Sequence, residues 1–251
     1  MKFAKLRVPA VCVVVAIGLM TGCARLPGKP SELDRWSAPA AVTDFNQLYS
    51  QNCAGCHGTN GSLGAATTLN DPLYLALIGT DAMRQVIATG VPGTAMPAFA
   101  AQSGGTLTDK QVDLLVAGMN SAWGRPNEFN AATLPPYSLQ AAAAKGLASG
   151  DATRGAGVYQ TYCTQCHGVE GGGGPKGGSI VDPNFLTLVS DQHLRTTVIV
   201  GRPDLGKPDW RSNVAGRPMS PQEISDVVAW LSAKRANTLA FRGASSLKRR
   251  E

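Results

Sequence analysis

Cys53-Ala54-Gly55-Cys56-His57 and Cys163-Thr164-Gln165-Cys166-His167 are the stretches that decide how this 251-residue chain is read. They hold four of its six cysteines and two of its three histidines. Cys-x-x-Cys-His is the pattern to which haem c is attached, and the chemistry explains the spacing. Two thiols one helical turn apart reach two vinyl groups on one side of a porphyrin, and the adjacent histidine aims a ring nitrogen at the iron. Plainer readings compete. A four-thiolate zinc site needs its cysteine pairs close together, yet 106 residues separate Cys56 from Cys163. A thioredoxin-like redox pair needs a βαβ setting, and no strand pattern surrounds either motif. Two copies in one chain make chance remote. Two covalently bound haem c groups are therefore expected, on Cys53 and Cys56 and on Cys163 and Cys166, with His57 and His167 on the irons.

The surroundings of the motifs recur as well. Tyr49 and Tyr159 each precede the first cysteine by four residues. Downstream come Asp71-Pro72 and Asp182-Pro183, then Val86–Gly90 and Val198–Gly201, then Met96-Pro97-Ala98-Phe99 and Lys207-Pro208-Asp209-Trp210. Each copy closes on apolar residues at helical spacing, Leu107–Met119 and Met219–Leu231, with Thr108 and Ser220 as N-cap candidates. These features divide the chain into domains at 43–122 and 148–233, joined by a linker at 123–147 that is rich in Pro and Ala.

By these residues the chain resembles class I c-type cytochromes in tandem: a helix running into Cys-x-x-Cys-His-Gly, a Met-Pro loop and a closing helix. The resemblance implies an all-α fold of two domains, each wrapped around one haem. It also implies that Nδ1 of the proximal histidine donates to a backbone carbonyl, often a proline's. Pro175 is the candidate for His167, and the partner of His57 is open. The family's terminal helices cross closely over a glycine beside an aromatic ring. Phe45 is therefore expected over Gly118, and Trp230 over Gly155.

Met96 is the expected distal ligand of the first haem, because it breaks helical periodicity and matches the family's Met-Pro loop. Met83 and Met119 fall within helical stretches and are assigned to packing. The second haem is unresolved. Lys207 stands opposite Met96, and Met219 stands opposite Leu107, just before an N-cap where an apolar residue packs on the first turn. Met219 delivered by a rearranged loop, Lys207 as a neutral amine, and a partly open iron all remain. His193, outside both motifs, reads as a surface or capping histidine.

Lys2, Lys5 and Arg7 precede an apolar stretch, Val8–Met20, too short to span a bilayer. Residues 1–22 read as a signal peptide. Leu19-Met20-Thr21-Gly22-Cys23 is similar to a bacterial lipobox, so Cys23 is expected to carry lipid, residues 23–42 to be a tether, and the protein to sit on the periplasmic side of a membrane. The net charge of +6 comes largely from the N-terminal residues and a basic tail at 234–251. Segment 43–122 has two basic residues against five acidic, and 148–233 has seven against eight. That leaves no basic face for nucleic acid. A His/Met iron has no open position. The expected function is electron transfer between membrane-bound respiratory partners. The competing class is a haem enzyme or oxidoreductase subunit, of peroxidase or dehydrogenase type, using a partly open second haem.

Overall fold

A computed structural model describes residue 36 and residues 38–247. The expected signal peptide, Cys23 and most of the expected tether lie outside the described residues. Of the described residues, those from Val42 onward belong to one compact unit, holding both repeats and the segment between them. Among the described residues there are helices and isolated bridges, and no strand. The fold is all-α, as expected.

The first repeat comprises α1 (Phe45–Asn52), α2 (Ala54–His57), α3 (Pro72–Thr89) and α4 (Asp109–Trp123). After α5 (Leu139–Ala144), the second repeat comprises α6 (Ala152–Tyr162), α7 (Thr164–His167), α8 (Pro183–Leu188), α9 (Asp191–Val200) and α10 (Pro221–Leu247). The repeated Asp-Pro pairs are helix starts. Asp71 accepts from the Leu73 N–H and Asp182 from the Asn184 and Phe185 N–H groups, and each proline opens its helix with a preset φ. Gly79 adopts φ 68° within α3 and splits it where the second repeat separates α8 from α9. Thr108 exchanges hydrogen bonds with Gln111, and Ser220 with Glu223. Both closing helices thus start at the expected N-cap residues, each within a capping box.

In each repeat the first helix crosses the last. A β-carbon on Gly155 would stand 2.8 Å from Trp230 Cβ, and one on Gly118 would stand 2.8 Å from Phe45 Cε2. The expected exchange of large and small residues between the helices is present. Trp230 stacks on Tyr159 with ring centroids 4.3 Å apart. In the first repeat Tyr49 meets Trp123 instead, edge to face at 5.2 Å. Trp123 lies five residues after Gly118, so an alignment of the closing helices does not pair it with Trp230.

The segment between repeats is packed against the second one. Leu134, Pro135 and Pro136 are buried. Arg195, 0% exposed, donates through Nε and Nη2 to the Pro136 carbonyl and through Nη1 to Ser225 Oγ. Burial without a carboxylate pushes its guanidinium down to about 10. Its counterpart Arg84 is half-buried and pairs with Asp109 and Asp113. Pro221 and Ser225 replace those carboxylates in the second repeat, and the connecting chain supplies an acceptor in their place. α10 runs past residue 233 to Leu247, so the tail boundary drawn there is not a helix end. Arg235 fastens this part of α10, donating to the carbonyls of Leu186 and Val189 and to Asp191.

Candidate haem sites

Cys53 caps α1, its N–H donating to Tyr49 O at 2.8 Å, and the four-residue α2 follows directly. Cys163 does the same after α6, donating to Tyr159 O at 2.9 Å. Each motif is therefore a separate short turn, in which His57 and His167 hydrogen-bond back to the first cysteine's carbonyl. The repeated tyrosines hold these turns in place. Tyr49 donates to Gly58 O at 2.9 Å and Tyr159 to Gly168 O at 2.6 Å, linking each opening helix to the residue after each histidine.

The ring orientations follow from the loops behind the motifs. His57 Nδ1 donates to Thr67 O at 2.7 Å, and His167 Nδ1 to Gly178 O at 2.9 Å. A carbonyl only accepts, so both Nδ1 atoms carry the proton and both Nε2 lone pairs are left for a metal. Pro175 is not the partner of His167. The backbone doubles back between Gly174 and Gly177, whose N–H and C=O pair at 2.8 Å, and the turn presents the later carbonyl of Gly178. That turn also needs a glycine, since a β-carbon at Gly177 would stand 2.9 Å from His167 Nδ1. Burial pulls the His57 imidazole below its usual value, against the opposing bond to Thr67, which favours the neutral ring that ligates iron.

None of the four motif cysteines is paired in a disulfide. Burial, with the neighbouring cysteine second, raises Cys53 to about 11 and Cys163 to about 12. Such thiols stay protonated near neutrality, the opposite of a thioredoxin-like thiolate. No group of three or more His, Cys, Asp or Glu among the described residues could hold a metal ion, which removes the zinc reading there. An unpaired cysteine couple one turn apart, beside an imidazole with a free Nε2, fits the donor set of haem c in both repeats.

The loops opposite the motifs are built alike. Val91 N–H donates to Met96 O at 3.0 Å, and Arg202 N–H to Lys207 O at 3.3 Å. The glycine ahead of each loop, Gly90 or Gly201, abuts the backbone of Met96–Ala98 or of Lys207-Pro208. Lys207 therefore occupies the backbone position of Met96, and its ammonium donates to Lys176 O. Met219 is 2% exposed, with its N–H on Trp210 O, just as Leu107 N–H is on Phe99 O. It sits in the core position of Leu107. Met83 and Met119 are buried in the first repeat's core.

His193 is neither a surface residue nor a bystander. Its N–H does reach the α9 cap, Ser190 Oγ, but its ring is half-buried and shares a 3.3 Å hydrogen bond with Thr67 Oγ1 of the first repeat. Nearby, Arg202 and Asp204 pair at 2.8 Å, Asp204 accepts from the Leu63 N–H at 3.1 Å, and Arg202 reaches Gly64 O at 3.4 Å. No periodic signal in the sequence marks these loop-to-loop contacts.

No curated protein matches the chain. A family model described as "Cytochrome C oxidase, cbb3-type, subunit III" matches residues 40–117 and again 150–231, the two repeats in turn. The chain therefore belongs to that family, as a c-type cytochrome of two tandem domains whose chemistry is haem-based electron transfer.

Proposed function

We propose that the protein is a dihaem electron carrier, held to a membrane surface by lipid on Cys23 and facing the periplasm. On this reading it passes electrons between membrane-bound respiratory complexes. The family description makes a cytochrome c oxidase the candidate acceptor. The observation that carries the reading is the repeated donor set. Cys53, Cys56 and His57 would hold one haem c and Cys163, Cys166 and His167 the other, each histidine oriented by a carbonyl on its far nitrogen. The bound group supplies a one-electron couple. The chain orients its ligands and keeps Nδ1 protonated.

Met96 is assigned as the distal ligand of the first haem. For the second, Lys207 in the Met96 position supports either lysine ligation or a partly open iron, and the latter keeps an enzymatic subunit as the second reading. Purified holoprotein tests the main reading. Two covalently bound haems per chain, both reversibly titrating and both oxidised by membranes containing such an oxidase, are expected. One haem, or a second haem that turns over peroxide, would refute it. Intact mass tests the anchor, because an unmodified N-terminus elsewhere than Cys23 would exclude it.

A further inference from the structure

Thr67 serves two partners at once. Its carbonyl accepts from His57 Nδ1 at 2.7 Å, and its hydroxyl meets His193 of the second repeat at 3.3 Å. The loop around it is fixed from the same side. Leu63 is held at φ 61°, a left-handed conformation unfavourable for a branched side chain, with its N–H on Asp204. The second site lacks such a handle, because its acceptor, Gly178, has no side chain.

We infer that His193 is a positioning residue for the first haem site, acting through Thr67 on His57, and that its protonation couples that site's reduction potential to pH. The inference rests on the electron-carrier reading. An acceptor on Nδ1 sets how strongly an imidazole donates to its metal, and through that the potential. With Nδ1 as the unprotonated nitrogen, neutral His193 accepts the Thr67 hydroxyl proton. Protonated His193 must donate, which reverses that bond and adds a positive charge beside the Thr67 peptide. The charge weakens the carbonyl as an acceptor and opposes loss of an electron, so both effects favour the reduced site. The balance is one electron gained at the first haem with up to one proton taken up by His193.

The groups around His193 leave it as the titrating member. Residues 58–70, the loop facing it, contain no charged side chain. α3 contributes Asp71 at its start, a buried carboxyl raised by desolvation. On the far side Arg202 is paired with Asp204. On its own helix, Asp191 pairs with Arg235, while Arg195 is held by Pro136 O. α10, packed on α9, has Glu223 paired with Arg217 and Asp226 with Arg154. Burial, then the Arg202 charge, lowers His193 from 6.5, which places the response on the acid side of that value.

The test is a haem-resolved redox titration of the full-length holoprotein from about pH 4.5 to 8. Met96→His, which displaces one potential, identifies the first site. In the wild type that potential falls as pH rises, and the other is flat. The slope is at most a tenfold change in the reduction equilibrium per pH unit. His193→Gln keeps a hydrogen bond to Thr67 without titrating, so the slope disappears. Thr67→Val, which retains the carbonyl but removes the hydroxyl, lessens the slope and decides the matter if His193→Gln does not fold. An unchanged slope in the variants, or a change confined to the other haem, overturns the inference. Fewer than two reversibly titrating haems would overturn the carrier reading and this inference with it.

Discussion

At the scale of single residues, the two sites differ chiefly at one loop position. Met96 and Lys207 share a backbone closure, while Met219 replaces Leu107 in the core. Lys207→Met should therefore give the second haem the distal donor of the first, with a second methionine–iron charge-transfer band and a higher potential. Met219→Leu should leave both haem spectra unchanged and cost under about 1.5 kcal/mol as a swap of similar volume. Absorption spectra and redox titration check both, and loss of a band in Met219→Leu would place that sulfur on iron. Tyr159→Phe removes the 2.6 Å bond to Gly168 O and should cost about 1 kcal/mol by urea unfolding. The motifs and tyrosines were legible because covalent attachment and short-range bonding fix their spacing. The acceptors Thr67 and Gly178 were not, because any backbone carbonyl can serve.

At the scale of elements, the crossing of terminal helices depends on what faces each glycine. Gly118 faces the ring of Phe45, a side chain that can turn, whereas Gly155 faces the backbone carbonyl of Asp226 as well as Trp230. Alanine gains about 1 kcal/mol of helix propensity at either place. That gain offsets much of the clash at Gly118 and little of it at Gly155. Gly155→Ala should therefore lose about 1–3 kcal/mol by denaturant midpoint, with Gly118→Ala losing less. The reverse order would mean that the second crossing can open. Helix starts were legible because caps are local, as with Asp71, Thr108 and Ser220. Trp123 was missed as the counterpart of Trp230 because its ring reaches the same tyrosine from a different turn.

At the scale of the whole molecule, the repeats are joined by loops whose partners lie more than a hundred residues apart, which no local pattern encodes. Asp204 is central among them, accepting from Arg202 in its own loop and from the Leu63 N–H across the interface. Its side chain is only 4% exposed. The Arg202 hydrogen bonds pull its carboxyl well below the usual carboxylate value of 3.8. A folded-state value depressed in this way contributes stability that is fully present above the unfolded value. That contribution is lost as pH falls through the folded one. Acidification below about pH 4 should thus remove support from the contact between repeats. Asp204→Asn keeps the shape but cannot charge, so its urea midpoint should start lower at neutral pH and converge on the wild type as pH falls. Other carboxylates, Asp226 with Arg154 among them, contribute acid sensitivity to both proteins, so the informative quantity is the difference between the two profiles. A difference that stays constant from about pH 7 to 3 would show that Asp204 holds Leu63 by shape alone.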